Sequence, residues 1–266
     1  GPHGGIRRVD EQRSSALLPD GSVCEATNMK TAPLHRRAFV MAGVGVALGS
    51  RATGQEAREV QGSGGGEAAG WDRVFGREKP PYNTDANAFL LAAIERVQRE
   101  GLLPAQAAAI DLAMGDGRNA LLLAEKGLTV TGLDISTVAL EKARAQAQER
   151  GLALTALAQD LFTYDYGTER WDLVSLIYFN PAVRILDALK KSVKPGGLIA
   201  IEGQGSEHTG DGPPPATRFK PNQLLQAFAD WRVLAYEDGK FACDWAPGAP
   251  THVVRLLARK VALGAK

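Results

Sequence analysis

From residue 84 onward, short unbroken apolar runs take turns with stretches whose apolar residues recur at helical spacing. Phe89, Leu90, Ala93, Ile94 and Val97 form one such stripe, which predicts a helix over 84–100 with Thr84 as its cap and Gly101 as its stop. Ala107 to Leu112 is apolar apart from Asp111, as expected of a strand covered on both faces of a parallel sheet. Helical spacing resumes through Ala120, Leu121 and Ala124 within 118–126, and Gly127 ends it. Further strands are predicted over 128–133, 152–158, 171–179 and 198–202, with a helix running from a Ser136 or Thr137 cap to Arg150. The order strand, helix, strand favours a parallel sheet with right-handed crossovers. The last two apolar runs, 231–237 and 251–260, are joined through a Gly/Pro-containing connection with no crossover helix, which favours an antiparallel pair. The expected class is α/β, a doubly wound, seven-stranded, mostly parallel sheet ending in a C-terminal antiparallel hairpin strand.

Chemistry concentrates between Ala109 and Ser136. Gly115 and Gly117 follow the first strand and let the backbone turn tightly and approach a ligand. The second strand delivers Asp134 to the carboxyl edge of the sheet, about 20 residues past the glycines, where a carboxylate can accept hydrogen bonds from ribose hydroxyls. Gly115-Asp-Gly117-Arg-Asn-Ala120 also satisfies the dinucleotide pattern G-x-G-x-x-G/A, which by itself leaves the cofactor open. Asp111, just ahead of the glycines, would repel a pyrophosphate but favour an ammonium or sulfonium neighbourhood. Gln159-Asp160-Leu161 closes the third strand and brings a second carboxylate beside the expected adenine position.

With these residues in view, 71–260 resembles the class I S-adenosylmethionine-dependent methyltransferases, which are Rossmann-like. It is nearest in look to small bacterial enzymes akin to the tellurite-resistance and thiopurine methyltransferases. Their pattern D-L-G-C-G-x-G-R-N-A, V-T-G-x-D-I-S, Q-D-L and L-K-P-G-G reads here as Asp111-Leu-Ala-Met-Gly-Asp-Gly-Arg-Asn-Ala120, Val130-Thr-Gly-Leu-Asp-Ile-Ser136, Gln159-Asp-Leu161 and, as a variant, Val193-Lys-Pro-Gly-Gly197. Ala113 stands where that pattern has its first glycine, so a methyl group lies where the backbone approaches the methionine part of the cofactor.

The resemblance implies S-adenosyl-L-methionine as cofactor and a small-molecule substrate. Asp111, Ala113 and Gly115 would face the methionine end, with Asn119 nearby in the same motif. Asp134 would take the ribose, Ile135 the adenine face, and Asp160 with Leu161 the adenine edge. Asp111 capping a turn and Ile135 as plain core are the structural alternatives. The irregular segment 71–83 is expected to lie over the cofactor, with Trp71, Tyr82 and Asn87 as lid candidates and ordinary helix packing as the rival reading.

The fourth strand ends in Tyr178-Phe179-Asn180-Pro181, at the edge where open α/β sheets place their reacting groups. Asn180 resembles the asparagine of the N-P-P-Y signature of amino-group methyltransferases, although Ala182-Val183 breaks that signature. The following loop, 203–217, carries Glu207, His208 and three consecutive prolines. Tyr178, Asn180, His208 and Arg218 are the candidate catalytic residues, His208 as a proton acceptor and Arg218 as an anion clamp, with Glu207 either orienting Arg218 or facing the substrate itself. A solvated loop histidine is the alternative. A cationic sulfur already activates the methyl group, so transfer needs mainly alignment and desolvation. No base stands out, which favours a soft nucleophile such as a thiol, sulfide or chalcogen anion.

Composition sharpens this in three ways. The formal charge of +1 and the lack of a long basic run with interleaved aromatics argue against a nucleic-acid partner. Cys24 and Cys243 give neither a disulfide framework nor metal-ligand spacing, so no metal is expected. The first 70 residues lack sustained periodicity. Positions 1–28 are expected to be a disordered tail, either an expression scar or a misplaced translation start ahead of Met29. Positions 29–70 combine a twin-arginine-like signal, with Arg36-Arg37 and an apolar run within 29–54, and a Gly/Ser-rich flexible linker over 61–70. The rival reading of 39–48 is an apolar helix packed on the domain. Export would separate the chain from cytosolic S-adenosylmethionine, so cofactor supply favours the cytoplasm. No stable membrane span is expected, and oligomeric state is left open. The domain itself is placed at 71–266. Two other function classes use many of the same residues: an NAD-dependent oxidoreductase, and a non-catalytic S-adenosylmethionine-binding module.

Overall fold

A computed structural model of the chain describes residues 64–209 and 212–262. Both expected N-terminal features, the tail at 1–28 and the paired-arginine segment, lie outside the described residues. Seven strands form one sheet: β1 Ala108–Leu112, β2 Thr129–Asp134, β3 Leu154–Ala158, β4 Trp171–Ile177, β5 Val193–Gln204, β6 Arg232–Cys243 and β7 Ala246–Arg259. Their order is β3-β2-β1-β4-β5-β7-β6. The first five are parallel, and β7 runs antiparallel to both β5 and β6. Helices α1 Gly64–Phe75, α2 Ala88–Arg99, α3 Arg118–Glu125, α4 Thr137–Glu149, α5 Leu186–Ser192 and α6 Gln223–Ala227 accompany the sheet. This is the doubly wound arrangement that the alternating rhythm predicts.

Alternation within each strand divides the core into two layers. Ile110, Leu112, Leu133, Val174 and Leu176 pack with Leu189, Leu224 and Phe228 from α5 and the α6 region. Ala109, Val130, Leu173 and Leu257 meet Leu90 and Ile94 of α2, Leu123 of α3 and Leu140 of α4 on the other side. A strand covered by helices on both faces has no solvated side, hence the unbroken apolar runs.

Four boundaries differ from the sequence-based expectation, each for a local reason. Asn87, not Thr84, caps α2, because its Oδ1 accepts the Leu90 amide at 2.9 Å. Strand β4 stops at Ile177, since Tyr178 turns into the left-handed region at φ +61°. Strand β5 extends to Gln204, because Gly203 and Gln204 pair with Val254 and Val253 of β7 and so shorten the expected loop. Residues 64–75, expected as linker and irregular chain, form α1.

Helix α1 exists because it is docked. Asp72 Oδ1 accepts the Ser136 hydroxyl at 2.6 Å and the Val138 amide at 3.2 Å, and Lys142 Nζ donates to the Phe75 carbonyl at 2.5 Å. The Ser136 hydrogen bond is the leading reason that the Asp72 carboxyl lies below its ordinary range. Ser136 also caps α4 by accepting the Ala139 amide at 3.1 Å, so one hydroxyl serves both helices. Ser136→Ala should cost about 1–2 kcal/mol. That corresponds to a melting temperature lower by roughly 2–8 °C in differential scanning calorimetry. An unchanged melting temperature would show that the α1–α4 junction carries no stability.

Candidate functional site

The carboxyl ends of β1, β2 and β4 open into a cleft. Its floor starts at the turn after β1. Ala113 takes φ +52° and Gly115 φ +57°, and the Phe75 ring sits 2.8 Å from where a Gly115 Cβ would project. Only glycine fits at 115, whereas alanine occupies an equally left-handed position at 113 and is strained there. The Gly115 amide donates to Asp134 Oδ2 at 2.8 Å, and the Ser136 amide donates to Asp134 Oδ1 at 2.8 Å. Asp134 therefore stands fixed at the end of β2. Burial pushes its carboxyl above the ordinary range against the pull of these amides.

Asp111 lies beneath the cleft rather than on its wall. Ser175 of β4 donates to Asp111 Oδ1, while Oδ2 is buried without a hydrogen-bond partner. Burial raises the Asp111 carboxyl to about 7, with the Ser175 bond acting in the opposite direction. An orphaned buried oxygen is costly in a finished core. It fits a site whose donor arrives with a ligand.

The cleft gathers Tyr82, Ala113, Gly115, Asn119, Asp134, Ile135, Asp160 and Leu161, all expected cofactor residues, and Tyr178 from the expected catalytic set. Asn119 Oδ1 accepts the Asn87 amide at 2.9 Å, and Asp160 Oδ1 accepts the Phe162 amide at 2.8 Å. Tyr82 donates its hydroxyl to Asp116 Oδ2 at 2.8 Å; burial, followed by the Asp116 charge, raises the phenol. Among the lid candidates, Trp71 lines the cleft, but Asn87 is buried as the α2 cap.

Three of the proposed catalytic residues are not brought to the cleft wall. Asn180 is buried behind the β4 end and donates from Nδ2 to the Gln204 carbonyl at 2.7 Å. His208 is 3% exposed, so it is not a solvated loop side chain, and its Nδ1 lies 2.7 Å from Thr251 Oγ1. Arg218 donates to the carbonyls of Pro213 and His208, bracing that loop instead of facing an anion in the cleft. Tyr178 contributes its ring, while its hydroxyl accepts the Asp244 amide at 3.3 Å and lies against Glu202 and Cys243. Burial first, and the Glu202 charge next, push this phenol up, so it is poorly suited to give up a proton.

The most consequential residue absent from the sequence-based set is Trp245. It sits at the turn between β6 and β7 and lines the cleft. Asp244 beside it is tied on several sides. Its carboxylate pairs with Arg118 at 2.8 Å and accepts from Asn87 Nδ2 at 2.8 Å, and its carbonyl accepts the Asn83 amide at 2.8 Å. A tryptophan between two strand runs was the available signal, but its distance in sequence from the glycine turn concealed its destination.

The family described as a methyltransferase domain matches residues 109–197, the span from β1 to the turn within β5. Over that span the chain carries a methyltransferase domain. An uncharacterized methyltransferase of Synechocystis is 34% identical over 98 residues, covering 35% of this chain and 44% of that protein. Hemagglutinin 1 of Eikenella corrodens is 29% identical over 163 residues, or 57% of this chain and 54% of its own length. The chain thus spans about half the length of the curated relatives it matches. TehB from Haemophilus influenzae superposes with a TM-score of 0.54 at 20% identity, over 64% of this chain and 61% of that one, a likeness of fold. In this methyltransferase domain the β7 strand between β5 and β6 carries the hairpin whose tip reaches the cleft. No helix among the described residues is long and apolar enough to cross a membrane.

Two measurements probe the site directly. Ala113→Gly removes a strained Cβ but adds unfolded-chain entropy, so a net gain of roughly 0.5–1 kcal/mol in urea unfolding is expected; a loss of stability would contradict the strain. Asp111 has a folded value of about 7 against an ordinary 3.8, so the folded chain holds its proton more tightly. Its contribution is fully present below pH 3.8 and is lost as pH rises through about 7. Asp111→Asn should therefore flatten the fall in melting temperature across that window, and an identical slope in both proteins would refute the assignment.

Proposed function

We propose that this protein transfers a methyl group from S-adenosylmethionine to a small acceptor whose nucleophile is soft, a thiol or sulfide before an amine or alcohol. The observation that carries the reading is the cleft itself: the glycine turn, Asp134 and Asp160 stand in a row at the carboxyl ends of β1, β2 and β3, with the orphaned Asp111 oxygen beneath them. When bound, the cofactor supplies a methyl group activated by positive sulfur. Asp134 would accept from the ribose hydroxyls, Ile135 and Leu161 would flank the adenine, and Asp160 would take its edge. Asp111 and Ala113 would meet the methionine end, and the charge of Asp111 suits an ammonium.

The lining residues include no histidine or lysine. Tyr178 is a poor acid, and His208 is engaged elsewhere. What this chain offers is therefore alignment and dryness: Trp71, Phe75, Tyr82 and Trp245 exclude water on one side, and Tyr178 with Phe179 closes the cleft at the end of β4. The walls would hold the acceptor in line with that methyl group, and with no histidine or lysine in the lining any acceptor proton would leave to water. A thiol, readily ionised near neutral pH, suits a site without a strong base. Positioning alone is worth several kcal/mol in such a displacement.

Thermal stability with saturating S-adenosylmethionine, paired with methyl transfer to a panel of thiols, amines and alcohols, tests this reading. At about 100 times the dissociation constant the ligand should add roughly 2.7 kcal/mol and raise the melting temperature by roughly 5–10 °C. Asp134→Ala should abolish the shift, and thiols should turn over fastest. A shift with NADH and none with S-adenosylmethionine would replace the reading with an oxidoreductase; a shift without turnover of any acceptor would leave a binding module.

A further inference from the structure

Four aromatic rings close over one side of the cleft. Trp71 and Phe75 come from α1, Tyr82 from the segment ahead of α2, and Trp245 from the β6–β7 tip. The Tyr82 and Trp245 centroids are 4.7 Å apart, Phe75 and Tyr82 5.7 Å, Trp71 and Trp245 5.9 Å in an edge contact, and Trp71 and Phe75 6.0 Å. Three segments far apart in sequence thus build one ring box, its rings packed on one another with Phe75 and Tyr82 buried and its outer surface lining the cleft, and each segment is pinned: α1 through Asp72, the hairpin tip through Asp244, and Tyr82 through Asp116.

The charge around this box is one-sided. Four carboxylates, Glu67, Asp116, Asp134 and Asp160, line the cleft with a single cation, Arg118. Arg118 is committed to Asp244 at 2.8 Å, so its charge is spent within the wall. A concave site with low-dielectric walls and an excess of one sign concentrates the opposite charge. Aromatic faces add to the same preference, because their negative π-clouds attract cations, ammonium groups above all.

We propose that the ring box is the acceptor subsite and that it selects a small organic molecule bearing an ammonium group, its nucleophile being the soft one argued above. This rests on the methyl-transfer reading and narrows it: anionic acceptors, chalcogen oxyanions and carboxylates among them, meet Glu67 and Asp116 with no free partner cation in the lining. Trp245 and Glu67 set specificity for the charged end of the acceptor, away from the transferred methyl.

Three probes of matched shape separate charge from size: choline, its neutral isostere 3,3-dimethylbutanol, and the anion 3,3-dimethylbutanoate. Quenching of tryptophan fluorescence on the whole chain, with and without S-adenosylhomocysteine, reads their binding without turnover. Choline should bind roughly tenfold more tightly than the neutral isostere, with S-adenosylhomocysteine present as well as absent, and the anion should bind most weakly. Trp245→Leu and Glu67→Gln should each reduce the choline preference several-fold. Equal affinity for all three probes, or a preference untouched by both substitutions, would overturn the proposal. A choline preference that disappears once S-adenosylhomocysteine is bound would overturn it too, by giving the box to the cofactor. Failure of methyl transfer with the choline preference intact would instead count against the catalytic reading alone.

Discussion

The grip of two backbone amides on Asp134 is the contact on which the rest of the site depends. Gly115 donates to one carboxylate oxygen and Ser136 to the other, so the turn after β1, the end of β2 and the start of α4 share a single side chain. The Ser136 hydroxyl passes the connection on to Asp72 and hence to α1. A carboxylate buried this deeply is unfavourable unless its oxygens are satisfied. Here the satisfaction comes from the same backbone that must be held in place for a cofactor, so the cost of burying Asp134 and the shape of the cleft are one problem with one solution.

A second network supports the opposite wall. Glu202 at the end of β5 accepts from Asn87 and pairs with Arg255 of β7 at 2.6 Å, and Asn87 also reaches Asp244. Buried charges of this kind persist where partners surround them and are costly when one partner is removed. The arrangement transmits the position of the sheet edge to the hairpin tip and so places Trp245. Strain sits in the same region: Ala113 and Tyr178, both non-glycine residues with positive φ, flank the cleft where β1 and β4 end. Such conformations survive where their surroundings over-determine them.

The parallel half of the sheet was readable because its signals are local. The apolar run around Ile110, the glycines at 115 and 117, and the carboxylate ending β2 each report a backbone need within a few residues. The parts that escaped depend on distant partners. Gly64 to Gly70 looks like linker by composition, yet it belongs to a helix secured by Asp72 and by the aromatic packing of Trp71 and Phe75. Thr84 and Asn87 are both credible caps, and only the reach of Asn87 to Glu202 and Asp244 favours the second. His208 and Arg218 have side chains suited to catalysis, but the extra pairing of β5 with β7 draws their loop into packing with Thr251. Trp245 lies some 130 residues from the glycine turn, and no periodicity links the two.

The central claim is that the row from Gly115 through Asp134 to Asp160 is a nucleoside site for S-adenosylmethionine. A crystal structure of the chain with S-adenosylhomocysteine tests it most directly. The account predicts the ribose hydroxyls on Asp134, the adenine between Ile135 and Leu161 with its edge toward Asp160, and the amino group drawn to the oxygen of Asp111 that otherwise lacks a partner. A ligand seated elsewhere, or one whose ribose leaves Asp134 untouched, would contradict it.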